Sequence, residues 1–103
     1  MGEHEINKYK QLQTKVLERD NCTCRICGYH TNAPPHHILY KSHCGIDDER
    51  NMITLCTRCH RKVHTNERHY RDILFESQYE IYGYFDIKSV KKKDRYKNFK
   101  YSK

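Results

Sequence analysis

Cys24-x-x-Cys27 and Cys56-x-x-Cys59 are two matched thiol pairs separated by 28 residues. A two-residue gap lets both sulfurs of a pair face one ion, and two such pairs complete a tetrahedral zinc site. A structural zinc is therefore expected here, with a binding energy on the order of 10 kcal/mol. A redox role for either pair would need a thioredoxin-like strand and helix around it, which the neighbouring residues do not supply. Cys22 and Cys44 are left over. A one-residue gap to Cys24 does not suit a zinc knuckle, and Cys44 stands alone in a polar stretch, so both are expected to be ordinary thiols. A finger of two cysteines and two histidines, from Cys24, Cys27, His60 and His64, is excluded because it would need 32 residues between the pairs where about 12 is typical.

Four histidines are not needed by that zinc. His60 and His64 stand four residues apart in a stretch of helical character, so both rings face one side. His36 and His37 are adjacent in an extended stretch and point to opposite faces. One of them can join the helical pair at a second metal while its neighbour faces a substrate. Asn51 lies between the two groups, where a polar loop meets the next apolar run.

The elements that must position these residues follow from pattern and punctuation. Residues 3–20 carry Ile6, Tyr9, Leu12, Val16 and Leu17 at helical spacing, with Asn21 as the stop. A cysteine-rich turn closes at Gly28, and Pro34-Pro35 forbids a helix before the extended segment 36–40. A polar loop, 41–50, holds Gly45 and the acidic run Asp47-Asp48-Glu49. Met52–Leu55 reads as a second short strand, 57–63 as a helix, and Asn66 as the cap of another helix carrying Tyr70, Ile73, Leu74 and Ile81. The order is strand, loop, strand, helix.

Composition sets bounds on all of this. Leu, Ile, Val and Phe number 19 of 103 residues, while 32% of the chain is charged. Such a core contributes only roughly 3–5 kcal/mol, so a staple is required. A large-cored enzyme, a coiled coil and a membrane protein are excluded. Met1–Lys10 has no apolar run of the kind a signal peptide needs, and a reducing cytosol, bacterial or of a phage-infected host, is the expected compartment. The net charge of +7 is uneven: residues 88–103 hold eight Lys or Arg against Asp94 alone, which leaves twelve of each sign in 1–87. Tyr96, Phe99 and Tyr101 interleave with that basic tail, a composition suited to phosphate contact and stacking on nucleic acid.

Together, Cys24-x-x-Cys27-Gly28, His36-His37-Ile38, Asn51-x-x-x-Leu55-Cys56-x-x-Cys59-His60 and His64 resemble the HNH endonuclease family, specifically its four-cysteine branch of small phage and bacterial nucleases. Arg19-Asp20 and the loop Gly45-x-Asp47-Asp48 are similar to that branch as well, so the likeness spans 19–64. The resemblance implies an α+β fold: a small ββα-metal (His-Me finger) core stapled by the four-cysteine zinc and flanked by N- and C-terminal helices. The domain is expected over 1–87, with 88–103 as a flexible basic tail.

The resemblance also implies roles. His37 would be the general base, and His36 and His60 ligands of a catalytic divalent metal (magnesium, manganese, nickel or zinc). His64 would be a third ligand or a contact to the scissile phosphate. Asn51 would brace the loop and hold His37 through a backbone hydrogen bond. The family mechanism leaves 5′-phosphate and 3′-hydroxyl ends. One departure is Cys44-Gly45, where the family often has two glycines.

Lys41, Arg58, Arg61 and Lys62 flank the site and, with Lys91, Lys92, Lys93 and Arg95 of the tail, are candidate DNA contacts. The expected activity is metal-dependent hydrolysis of DNA phosphodiester bonds. A chain with one site nicks, or cuts both strands as a homodimer or in two steps. The alternatives are a zinc-stabilised DNA-binding or accessory module, as in packaging or homing, and a nuclease directed at RNA.

Overall fold

In a computed structural model, which describes residues 3–92, helix α1 spans Glu3–Arg19 and strands β1 and β2 span His36–His37 and Met52–Ile53. Helices α2 (Thr57–Thr65) and α3 (Glu67–Tyr82) follow. Short 3-10 turns at Lys41–His43 and Glu49–Asn51 shape the loop between the strands, and another at Ile87–Val90 follows α3. This is the α+β, ββα arrangement with helices on either side. Among the described residues, no helix is long and apolar enough to cross a membrane.

The strands are shorter than their apolar runs, for a specific reason. They pair antiparallel, His36 with Ile53 and His37 with Met52. Beyond His37, the Ile38 amide still donates across the ladder to the Asn51 carbonyl (2.8 Å), but the Leu39 amide is diverted to the Asn51 side chain (2.8 Å). Beyond Ile53, the Thr54 amide donates to Asp20 (3.1 Å) and its carbonyl accepts from the Arg25 amide (2.9 Å). Backbone groups that a longer ladder would use are already taken.

Helix α1 stops at Arg19 because Asn21 and Cys22 turn the chain through left-handed conformations, φ 57° and 49°. Helices α2 and α3 part at Asn66, whose φ of −154° and ψ of 64° are not helical and whose side chain makes no capping bond. Gly83, with φ 76°, ends α3 and donates its amide to the Tyr79 carbonyl at 2.8 Å. That is the left-handed position at a helix end that glycine fills at least cost.

The core joins Ile38, Leu39, Ile53 and Leu55 to Val63 of α2 and to Leu74 and Phe75 of α3. Polar groups are woven into it. Asp20, almost fully buried, accepts two bonds from Arg19 and one from Arg25, each 2.8 Å. Arg19 reaches on to the carbonyls of Glu49 and Met52 (2.7 and 2.8 Å). Fully buried Gln78 donates to the carbonyls of Glu49, Arg50 and Met52 and accepts from Arg25. These contacts fasten α1 and α3 to the end of the loop between β1 and β2.

Burial pushes the Asp20 carboxyl up, but the Arg19 hydrogen bonds and charge and the Thr54 amide more than offset it, holding it below the ordinary range. Asp20→Asn leaves two largely buried guanidiniums short of their counter-charge, with an expected loss of about 3–5 kcal/mol in urea unfolding at neutral pH. A depressed carboxyl stabilises above the unfolded pKa of about 3.9 and loses that effect as pH falls through the folded value. The gap between wild type and variant therefore closes only in acid.

The packed body extends past residue 87, into the stretch expected to be tail. Val90 is fully buried. Its carbonyl accepts from the Ile46 amide at 3.0 Å, and the Lys92 amide donates to the Cys44 carbonyl at 2.6 Å. Arg50 adds a hydrogen bond to Ser89 at 3.1 Å. The chain thus returns from α3 to pair alongside the loop between β1 and β2.

Candidate active site

The first cysteine pair sits in a tight knuckle. The Gly28 amide donates to the Cys24 carbonyl (2.9 Å) and the Cys24 amide to the Tyr29 carbonyl (2.8 Å), and Gly28 takes φ 81° to close the turn. The second pair opens α2, where Cys56 caps the helix and its sulfur accepts from the Cys59 amide at 3.5 Å. All four sulfurs lie within 4.8 Å of one another, with Cys27 and Cys56 at 3.6 Å. A tetrahedron with ~2.3 Å zinc–sulfur bonds has edges of about 3.8 Å, so the donors fit a structural zinc.

Burial raises the Cys24 thiol, but amides of Cys27, Cys56 and Ile26 bring it down to about 6. Cys59 is pushed up to about 12 by burial and by the other three sulfurs. A divalent cation resolves that conflict by deprotonating every thiol that coordinates it. Cys22 and Cys44 stand outside the cluster.

Strand alternation separates the two adjacent histidines. His36 is buried and turns toward α2, where its ring lies 4.9 Å from that of His60 and 5.7 Å from that of His64. One nitrogen from each of the three rings lies within 4.8 Å of the others, and Nε2 of His60 and His64 are 3.1 Å apart. Metal–nitrogen bonds of ~2.0–2.1 Å place neighbouring ligands about 3.0–3.4 Å apart, so this set also fits a metal. Burial, reinforced by His60, His64 and His37, pushes His36 down to about 3. It is therefore neutral at physiological pH, as a ligand must be. The Tyr40 hydroxyl lies 2.9 Å from Nδ1 of His64 and fixes that ring from behind.

His37 points the other way. Its Nε2 lies 2.8 Å from Oδ1 of Asp47, and its ring lies parallel to Tyr9 of α1 with centroids 6.5 Å apart. Fully buried Asn51 ties the two ends of the loop together. It accepts from the Leu39 amide and donates to the carbonyls of Leu39 (3.1 Å) and Ile46 (3.0 Å). Its side chain makes no hydrogen bond to His37; the ring's partner is Asp47. Sequence reasoning assigned Asp47 no role, because one carboxylate within an acidic run carries no mark of its own. Tyr9 and Tyr40 were missed for a similar reason, reading as ordinary helix and strand positions.

The loop closes tightly enough to demand glycine at 45. A Cβ there would stand 1.8 Å from the Leu39 carbonyl oxygen and 3.0 Å from Nδ2 of Asn51. Gly45→Ala must push the loop outward, at an expected cost of about 1–3 kcal/mol in a urea melt. Cys44 takes the left-handed conformation, φ 68°, that a second glycine would adopt freely.

The candidate phosphate contacts are spread around this centre. Lys41 pairs with Asp47 at 3.2 Å, and the Arg58 guanidinium lies over Tyr29 at 5.4 Å. Arg61 and Lys62 are exposed on α2, and Lys91 and Lys92 beside the loop between β1 and β2. Lys93 and Arg95 lie outside the described residues, as do Tyr96, Phe99 and Tyr101.

A two-strand sheet, a helix carrying paired histidines and a four-thiol staple define a small ββα-metal protein. The family model for HNH endonuclease matches residues 24–66, which span the cluster, both strands and α2. The chain is also 33% identical over 61 residues to a protein named Anaredoxin from Nostoc sp., covering 58% of this chain and 80% of that protein. No solved structure matches the chain. The chain belongs to the HNH endonuclease family.

Proposed function

We propose that this protein is a metal-dependent endonuclease that hydrolyses DNA phosphodiester bonds, with His37 as general base and His36, His60 and His64 as ligands of a single divalent ion. The division across β1 carries this reading. His36 joins the α2 pair, and His37, one residue on, is held apart by Asp47. In the tautomer that donates Nε2–H to Asp47, Nδ1 of His37 keeps the lone pair that takes a proton from the attacking water. Asp47 is then a positioning residue that fixes both ring and tautomer. Neutral His36 offers its lone pair without adding positive charge. When bound, a divalent ion (magnesium, manganese, nickel or zinc) neutralises the phosphate and stabilises the departing 3′-oxygen. The products carry 5′-phosphate and 3′-hydroxyl ends.

Lys41, Arg58, Arg61, Lys62, Lys91 and Lys92 supply sequence-independent phosphate contacts, with Lys93 and Arg95 beyond the described residues. One site per chain makes the elementary event a nick. Cutting both strands takes two copies or two successive events.

The test is cleavage of supercoiled plasmid by protein carrying one zinc per chain, first without added metal and then with magnesium, manganese, nickel or further zinc. Nicked or linear product should form only with the added ion and be lost in His60→Ala and His64→Ala. Folded protein that binds plasmid but cuts it in none of these metals would instead be a zinc-stabilised DNA-binding or accessory module.

A further inference from the structure

Between α1 and the loop after β1 runs a groove of about 670 Å³, lined by Lys8, Tyr9, Lys10, Leu12, Lys41 and Asp47 among others. It opens beside His37, since Tyr9 lies parallel to the His37 ring and Asp47 bonds to it. Lys8 and Lys10 are exposed on either side of Tyr9. The Lys41 ammonium sits over the Tyr9 ring at 5.4 Å while pairing with Asp47 at 3.2 Å. The face beyond Leu12 and Asp47 changes sign: Asp48 and Glu49 stand there with Arg50. Positive charge and an aromatic face are therefore concentrated on the α1 side of His37.

We propose that this groove is a binding track for a single DNA strand, with Tyr9 as a stacking platform and Lys8, Lys10 and Lys41 as phosphate contacts. The proposal rests on the nuclease reading of His37, to which the track leads. Cations flanking an aromatic ring match a strand whose backbone follows the charges and whose unstacked base lies on the ring. A closed duplex presents phosphates to the lysines but no base face to Tyr9. A base arriving on Tyr9 takes the place of the Lys41 ammonium, which then turns from Asp47 to a phosphate.

The experiment is fluorescence anisotropy with a labelled 16-nucleotide single strand and its duplex, using zinc-loaded protein without added divalent metal and checking the DNA for intactness afterwards. Tyr9→Ala should weaken single-strand binding about tenfold, while Tyr9→Phe keeps it. The exposed pair Lys8→Gln/Lys10→Gln should reduce the slope of log affinity against log salt by about 1.4, about 0.7 for each contact. Unchanged affinity and slope in both variants overturn the track, as does a Tyr9→Ala loss equally large for the duplex. Zinc content and urea midpoints identify any misfolding of Tyr9→Ala, and the surface lysine variant decides the matter regardless. Plasmid cleavage is scored separately. Cutting with intact binding in these variants removes the track and keeps the nuclease, whereas the expected binding losses without cutting keep the track and remove the nuclease.

Discussion

His37→Ala is expected to lower metal-dependent plasmid nicking by about 10²–10⁴-fold while leaving DNA affinity close to that of wild type. A positioned general base contributes on that scale, and no other side chain among the described residues is placed to substitute for it. His36 is buried against α2, and His60 and His64 face each other at 3.1 Å. The His37 side chain is only 14% exposed, between Tyr9 and Asp47, so the variant's zinc content and urea midpoint are measured alongside its nicking. Asp47→Asn separates positioning from chemistry. It keeps the side-chain size but offers an amide to Nε2, admits the other tautomer and should reduce nicking with little change in KM. Equal loss of binding and nicking in His37→Ala would make the ring a DNA contact and end its assignment as base.

Removing the zinc should unfold the protein. A four-cysteine site contributes on the order of 10 kcal/mol, as much as the entire stability of a typical domain. Here the apolar core is a few residues from each element, with polar Asp20, Asn51 and Gln78 among the buried positions. Titration with a strong chelator, followed by circular dichroism, should show loss of helix in step with release of one zinc per chain. Lower pH acts in the same direction, because protons compete with the metal for sulfur. Cys59→Ser should behave as the chelated protein does, whereas Cys22→Ser and Cys44→Ser should retain the ion and the fold. Full helicity after complete zinc release would show that the core suffices without its staple.

Much of the site is legible in the sequence because it depends on periods and short gaps. The two-residue spacing gathers the thiols, the four-residue spacing stacks His60 over His64, and the period of two divides His36 from His37. What was not legible depends on contacts between distant polar groups. The strands shrink because Asn51 and Asp20 capture backbone amides that apolar runs alone would assign to a ladder. Gln78 reads as a surface helix residue until three carbonyls converge on it. Val90 is a lone apolar residue among lysines, so only its pairing beside Ile46 reveals that the body continues past residue 87.

That last pairing also sets the tempo of the loop between β1 and β2. A segment secured only at its ends wanders in nanoseconds to microseconds, whereas one stitched along its length moves by local unfolding, in microseconds to seconds. Here the 44–46 stretch is bonded to residues 90–92 on one flank and gripped by Asn51 on the other. The loop and the chain's return are expected to open together rather than separately, so the surface beside His37 is shaped before anything binds to it.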